Sequence, residues 1–541
     1  MAEHDYIIVG AGSSGAALAG RLTDAGRSVL LLEAGGAASS IRYRVPAAFM
    51  SLWFSPDSSW MYQGEPEPGL NGRCMPIPRG RVVGGSSAIN GMICNRGAPQ
   101  DYDNWAAGGL EGWAYEDLLP YFRRSETNWR GASRWHGGSG PVTVSPYPNP
   151  SPHARLVSEA ARAMGFSETD DFAGPAPEGF GLPDMNVRRG RRVSAADAYL
   201  EGRRPTLTVA TRAQALRILI ENGCAVGVEY LQGGKVRIAR TAGEVILSGG
   251  PINTPQLLMC SGIGPADELR RHDIGVRLDQ PRIGRDLEDQ PGVRFTFSAK
   301  EPLSLTRELR ADRAARAALT WLVSGRGLLA APPLMGFFIV RTREGLAQPD
   351  MRMIVSAPME SRVWFPGWRR PVGPGLNVGV SLTHPRSRGS VSLVSADPLA
   401  KPLIRYNVYS DPHDLAEMRR GFRLARELVR QPSLSRLVGD LAQPATEPKS
   451  DDEVDAYLRA ATMTTFHPIG SCRMGAGGAA PVDGEFRLRG VDNLRVVDTS
   501  VFPTQIGGNP NLPAMMLAER AADMLLERAP PGPSSNVRGP Y

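Results

Sequence analysis

The sequence predicts an α/β protein of two lobes, a nucleotide-binding domain on a parallel sheet followed by a second lobe of α+β character. Three observations carry that expectation. A glycine loop lies between an apolar run and a helical pattern near the N-terminus, β-rich apolar runs return after residue 205, and alternating runs with an amphipathic segment fall between residues 295 and 460. A chain of 541 residues is also longer than one ordinary core supports, so two lobes, or one nucleotide domain carrying insertions, is the expectation from size.

In chain order, residues 6–9 predict a short buried strand, residues 15–24 a helix and residues 28–32 a second strand, together a right-handed β-α-β unit. Residues 39–128 read as irregular and rich in Gly, Pro and Trp, which suggests long excursions over the nucleotide domain. Strands are expected again at 206–209, 215–220, 225–230 and 244–247, then a helix at 254–260. In the second lobe residues 376–382 and 389–394 alternate as strands, residues 415–428 read as an amphipathic helix, and residues 325–333 as a lid or turn. A helix over 512–527 comes last, before a Pro/Ser/Gly tail at 530–541 that predicts poor order.

Hydrophobic residues make up 42% and charged residues 22%, the balance of a globular chain rather than a disordered or membrane one, and no apolar run reaches eighteen residues. The run at 6–32 follows Glu3 and Asp5 and is punctuated by glycines, so it reads as folded structure rather than a signal peptide, and a cytoplasmic location is expected. The net charge of +7 comes from arginine, since Lys235, Lys300, Lys401 and Lys449 are the only lysines. The densest basic cluster, Arg188, Arg189, Arg191 and Arg192, has no interleaved aromatics and reads as solvated surface, not as a nucleic-acid site. Five scattered cysteines without a Cys-x-x-Cys pair argue for a reduced compartment and against zinc; His4, His153, His272, His384 and His413 stand singly, so no metal is expected.

Gly10-x-Gly12-x-x-Gly15, with Ser13 and Ser14 inside it, sits between the first strand and helix, and Glu33-Ala34 ends the second strand. The glycines permit a tight turn and let backbone N–H groups approach a pyrophosphate, which the helix N-terminus stabilises. Glu33 stands where a carboxylate accepts from a ribose 2′-hydroxyl and repels a 2′-phosphate, so NADP is disfavoured. Taken alone, the loop leaves NAD and FAD both open.

Four further stretches narrow the choice. They are Gly80-Arg81-Val82-Val83-Gly84-Gly85-Ser86-Ser87-Ala88-Ile89-Asn90 with Gly97 and Asp103 downstream, Gly250-Pro251-x-x-Thr254-Pro255-x-Leu257-Leu258-x-x-Ser261-Gly262-Ile263-Gly264, His467-Pro468-x-Gly470-Ser471-x-x-Met474-Gly475, and Asn509-Pro510-Asn511-Leu512-Pro513. With these the chain resembles the glucose-methanol-choline (GMC) oxidoreductase family from residue 6 to about 526, departing from the usual residue at Cys94. The resemblance implies an α/β FAD-binding Rossmann-like domain with a second α+β substrate domain built on an antiparallel sheet. It divides the chain into an FAD domain at 1–294 with excursions at about 39–190, a substrate domain at 295–460, a return to the FAD domain at 461–528, and a tail at 529–541.

In that family Val83, Gly84 and Ser87 lie along FAD, Asn90, Gly91, Met92 and Ile93 reach the isoalloxazine, Ala215 lines the adenine, and Asp498 meets the phosphate-ribityl region. Asp498 also reads as a turn residue closing a strand. Some relatives attach the flavin through a histidine where this chain has Ile89, so noncovalent FAD is expected. The resemblance makes His467 the base that takes the alcohol proton and places Asn509 beside it as a hydrogen-bond donor to the oxygen. Asn511 reads as the N-cap of the last helix, with Leu512 and Pro513 in its first turn, directing the helix's positive end at the flavin N1/C2 edge. Phe466 suggests an aromatic wall, and His136 a structural turn.

The motifs are most similar to the aryl-alcohol, hydroxymethylfurfural and choline-dehydrogenase branches, which implies oxidation of a primary alcohol with oxygen or another electron acceptor. A hydroxynitrile-lyase-like protein without net redox is the alternative, and a noncatalytic flavin scaffold a third reading. The sequence leaves the alcohol, oxidase versus dehydrogenase, and the oligomeric state open.

Overall fold

The computed structural model describes residues 4–202, 204–300, 308–357, 365 and 375–531. Its first sheet begins with β1 (His4–Val9), α1 (Ser13–Asp24) and β2 (Val29–Glu33), the expected β-α-β unit. The second half of β1 and all of β2 are buried, as parallel strands covered on both faces require. The chain returns through β3 (Leu207–Thr211), β4 (Ala213–Glu221), β5 (Cys224–Gln232) and β6 (Lys235–Leu247). Strands β3, β2, β1 and β6 lie side by side in parallel, and Leu494–Val496 adds a parallel strand beside β6.

Strand β6 serves two partners. Its first half pairs antiparallel with β5 and is largely exposed, whereas its second half pairs parallel with β1 and is largely buried. The apolar pattern at 244–247 therefore marks only the buried half; Val236 and Ile238 alternate with arginines on an exposed ribbon. Helix α2 (Gly250–Cys260) follows at once.

The second sheet is antiparallel throughout. Its central strands are β7 (Pro291–Ala299), β8 (Leu334–Val340), β9 (Met351–Ser356) and β10 (Gly375–Leu382), in the order β7-β10-β9-β8. Gly179–Gly181 extends it beyond β8, and Val438–Gln443 and Met463–Thr464 pair with β7, so it draws strands from both sides of residue 295. Helix α3 (Pro412–Arg430) covers one face, with Phe422 against Phe295 at 4.9 Å. Gly421 lets it lie close, since a Cβ there would meet the Met351 side chain at 3.0 Å. Helix α4 (Asn511–Leu525) returns to the first lobe and packs on α1; it is buried nearly all round, with Glu519 taken up by Arg21, Arg124 and Tyr199.

Several expectations need correction. Residues 39–128 contain a short helix, Phe49–Trp53, and two longer ones, Pro99–Ala107 and Tyr115–Ser125. Tyr102 and Trp105 are three residues apart and share one buried face, a helical period that the Gly/Pro-rich surroundings conceal. Residues 389–392 are a strand, but they pair with Arg285–Leu287 and Leu403–Arg405 in a separate small sheet, because alternation specifies a buried face and not a partner. Residues 325–333 do form a turn, with a short 3-10 segment at Leu328–Ala330; Ala330 and Ala331 are buried, and the Tyr147 hydroxyl donates to Pro332 O. Arg192 is not solvated surface. It is buried and donates to the carbonyls of Tyr43, Ser87 and Asn90, bracing the loop that precedes residue 91. The tail at 532–541 lies outside the described residues.

His136 forms a buried cluster away from both sheets' shared space. Its Nδ1 meets Glu126 at 3.0 Å and its Nε2 meets Asp171 at 2.7 Å, while Arg96 pairs with Glu126 at 2.8 Å. These carboxylates outweigh the effect of burial and raise the imidazole's pKa. Replacing His136 with Phe removes the partner of Asp171 Oδ2 and one of the partners of buried Glu126, and should cost about 1–3 kcal/mol. The check is the urea unfolding midpoint at constant m-value, and a midpoint equal to wild type would refute the role.

Candidate active site

A cavity of ≈ 1280 Å³ is lined from both sheets, larger than the roughly 300–1,000 Å³ of a small-molecule pocket. Three helix N-termini open onto it: Gly12, Ser13 and Ser14 of α1, Gly250 and Pro251 of α2, and Asn511 and Ala514 of α4. The first N–H groups of a helix lack intrahelical acceptors, and its dipole is positive there, so the cavity is built to receive anionic groups. A Cβ on Gly12 would meet only Gly85 Cα, at 4.0 Å, so this backbone faces open space that a ligand can approach closely. Gly15 does different work: a Cβ there would lie 1.9 Å from Gly10 O, so it sets the packing of helix on loop. These features fit a dinucleotide with room for a second small molecule.

Of the residues singled out from sequence, Gly10, Gly12, Ser13, Ser14, Glu33, Ala34, Asn90, Gly91, Met92, Ile93, Ala215, His467, Asp498, Asn509 and Asn511 line this cavity. Gly15, Val83, Gly84, Ser87 and Leu512 are not among the lining residues. Ser87 Oγ accepts from Ala195 N at 2.9 Å, and Val83 N donates to Gly36 O at 3.0 Å, so both hold the loop in shape. Glu33 is buried, and its two oxygens accept from Ala11 N at 3.0 Å and Gly35 N at 2.8 Å; burial nevertheless pushes its pKa up to about 7. Asp498 accepts from Gly250 N, Thr254 Oγ1 and Ser500 N within 2.8 Å, which is the turn-closing role together with a place at the α2 N-terminus.

Asn511 is not a side-chain N-cap. It is the first residue of α4, and its Oδ1 instead accepts from Ser13 Oγ at 2.7 Å, tying the N-termini of α1 and α4 together. Pro513, tolerated in the first turn, occupies the expected place.

His467 and Asn509 meet: Asn509 Nδ2 lies 3.2 Å from His467 Nε2. The other ring nitrogen, Nδ1, is 2.8 Å from Gln290 Oε1. Gln290 is fully buried and its amide nitrogen donates to Thr383 O and Ile506 O, so its oxygen can only accept. Nδ1 must therefore carry the hydrogen, leaving a lone pair on Nε2. The amide of Asn509 is fixed similarly: Asn95 Nδ2 donates to Asn509 Oδ1 at 3.0 Å, and Asn509 N donates to Asn95 Oδ1 at 2.6 Å. Beside them, Phe49, Trp53 and Phe466 form an aromatic wall, with edge contacts of 5.1 and 4.8 Å.

Sequence reasoning missed Gln290, Asn95, Arg79, Arg352 and Asp289. Arg79 donates to Phe466 O at 2.9 Å, and Arg352 Nη1 lies 3.4 Å from His467 Nδ1. Asp289 holds the His467 backbone N–H at 2.9 Å. Burial and the two guanidiniums hold the His467 imidazole well below its ordinary pKa of 6.5. Arg352 was visible in principle as a charge inside the apolar alternation of residues 351–356, whereas nothing local marks Gln290. Among the described residues no helix is long and apolar enough to cross a membrane, and no group of three side chains suits a metal ion.

A family model described as GMC oxidoreductase matches residues 4–292, and its C-terminal counterpart matches residues 385–518. The chain is 40% identical over 533 residues to an oxygen-dependent choline dehydrogenase of Rhizobium meliloti (strain 1021), covering 98% of this chain and 96% of that one. Among solved structures, it resembles pyridoxine 4-oxidase from Mesorbium loti at a TM-score of 0.87 and 29% identity, covering 97% of this chain and 100% of the other. It resembles Aspergillus oryzae RIB40 formate oxidase, studied for its FAD modification, at a TM-score of 0.90 and 27% identity, over 97% and 98% of the two chains.

The lowered His467 pKa has a definite sign. Below the ordinary imidazole pKa of 6.5 the unfolded chain takes a proton that the folded site refuses, so this group contributes acid destabilisation. In ¹⁵N NMR of histidine-labelled protein, one resonance should show a protonated Nδ1 and a bare Nε2 at pH 6 and vanish in His467→Gln. An imidazolium signal at that pH for this residue would refute the arrangement.

Proposed function

The chain belongs to the GMC oxidoreductase family, and from that premise we propose that His467 and Asn509 carry the oxidation of a primary alcohol to its aldehyde. FAD-dependent alcohol oxidation is the activity class. The observation that carries the residue assignment is the chain of hydrogen bonds from Thr383 and Ile506 through Gln290 to His467, because it makes Nε2 the accepting nitrogen, the atom that Asn509 Nδ2 approaches at 3.2 Å. FAD, when bound, supplies a two-electron acceptor for the hydride that leaves the carbinol carbon.

His467 Nε2 accepts the hydroxyl proton. Asn509, with its amide held by Asn95, presents Nδ2–H to the oxygen as negative charge develops there. Phe49, Trp53 and Phe466, which line this end of the cavity, would shield it from water. The Gly10–Gly15 loop and the N-termini of α1, α2 and α4 would hold the pyrophosphate and the flavin N1/C2 edge. Glu33 and Ala34 would take the ribose, Ala215 the adenine, and Asp498 the phosphate-ribityl region. Residues 90–93, braced by Arg192 and the Val83–Ser87 loop, would face the isoalloxazine. Ile89 is buried and carries no nucleophile, which supports noncovalent FAD.

Two results test the reading. Anaerobic mixing with aromatic, aliphatic and amino alcohols should bleach the yellow chromophore and yield aldehyde, whereas a lyase leaves the colour intact; readmitting oxygen and measuring peroxide then separates oxidase from dehydrogenase. His467→Ala should keep the colour and lose about 10²- to 10⁴-fold in the bleaching rate. A variant retaining a tenth of the wild-type rate would remove His467 from the role of base.

A further inference from the structure

Strand β9 presents Met351, Met353 and Val355 to the core beneath α3 and turns Arg352, Ile354 and Ser356 to the cavity. Arg352 is only 3% exposed. Its Nε donates to Ser381 Oγ at 3.1 Å. Its Nη1 lies near His467 Nδ1, which already gives its hydrogen to Gln290 and has no lone pair to offer. Among the described residues no carboxylate lies within ion-pair distance of this guanidinium; Asp289 acts on it through space only, its oxygens being taken up by Gln290 N, Thr464 Oγ1 and His467 N. The acids that line the cavity, Glu33 and Asp498, are both committed to backbone N–H groups elsewhere along it. A guanidinium taken out of water, with donors left over and aimed into a binding cavity, is the arrangement that receives an anion.

We infer that the alcohol oxidised here carries a carboxylate, and that Arg352 binds it. The inference rests on the alcohol-oxidising reading above and adds the charge of the substrate to it. The planar fork of an arginine matches a carboxylate in two parallel hydrogen bonds, and the aromatic side chains Phe49, Trp53 and Phe466 that line the same cavity suit a ring between the two ends of the molecule. A quaternary ammonium alcohol, the substrate in the name of the choline dehydrogenase relatives, would meet a like charge at this position. The likeness to those proteins covers the oxidation chemistry and not the polarity of this pocket.

The experiment compares three alcohols on the wild-type holoenzyme: para-(hydroxymethyl)benzoate, its uncharged isostere para-methylbenzyl alcohol, and choline. The expected result is a kcat/KM for the carboxylate roughly 10- to 100-fold above the neutral alcohol, with choline last. In Arg352→Met that ratio should fall toward one, and Arg352→Lys should keep part of it. The inert para-methylbenzoate should perturb the flavin absorption of wild type with saturation, and need a much higher concentration to do so in Arg352→Met. If choline or the neutral alcohol equals the carboxylate in wild type, or the ratio survives in Arg352→Met, the inference is overturned; the wild-type comparison and the Lys variant decide it even if the Met variant fails to fold. If none of the three alcohols bleaches the flavin anaerobically, the oxidation reading fails and takes the inference with it, a result separate from bleaching without charge preference.

Discussion

The site depends on backbone touching backbone. The chain leaves β1 through Gly10, where a Cβ would fall 2.4 Å from Ser248 O, and enters α1 past Gly15, packed on Gly10 O. Gly85 closes the same corner, since a Cβ on it would reach Gly12 Cα at 2.6 Å. Three segments distant in sequence thus meet with no side chain between them, which lets α1 and α2 end against one space while Asn511 ties α4 to α1. Any side chain in that corner would push the helix termini apart and weaken a positive field that falls off within a turn.

The reacting end of the cavity works against the same electrostatics. Burial, Arg352 and Arg79 together keep His467 neutral, and they equally oppose the imidazolium it would become on taking the proton proposed above. Asp289, itself pushed up to about 6 by burial, holds the His467 backbone N–H and not its ring. A carboxylate brought in against Arg352 would offset part of that opposition once the proposed substrate is seated. At about 6 Å and an effective dielectric of about 20, each such charge pair is worth about 3 kcal/mol, above the roughly 0.5–2 kcal/mol that an aromatic wall gives a cation. On that scale the guanidinium, not the rings, decides the sign of the charge the pocket prefers.

What was legible in the sequence was local. The glycine loop, Glu33 and the His467 and Asn509 segments each carry their signal within a dozen residues, and the first lobe's strands announce themselves by apolar content. The residues that orient those groups did not, because their partners are far away: Gln290 is 177 positions from His467, and Asn95 is 414 from Asn509. An asparagine or glutamine reveals its role only when the fold shows which end of the amide is already engaged. Arg192 illustrates the other limit. Four arginines on a short hairpin have one composition, but the pleat sends Arg188 and Arg191 to solvent and Arg192 inward.

The bond between Ser13 and Asn511 joins residues 498 apart. On a ribosome adding roughly 5–20 residues per second, α1 is born something like half a minute to a minute and a half before α4 exists to cover it. Through that interval an apolar helix and the uncovered flank of β6 must be kept from other chains. The cavity onto which α1 and α4 both open is therefore complete only once the segment around Asn511 has been made and has docked.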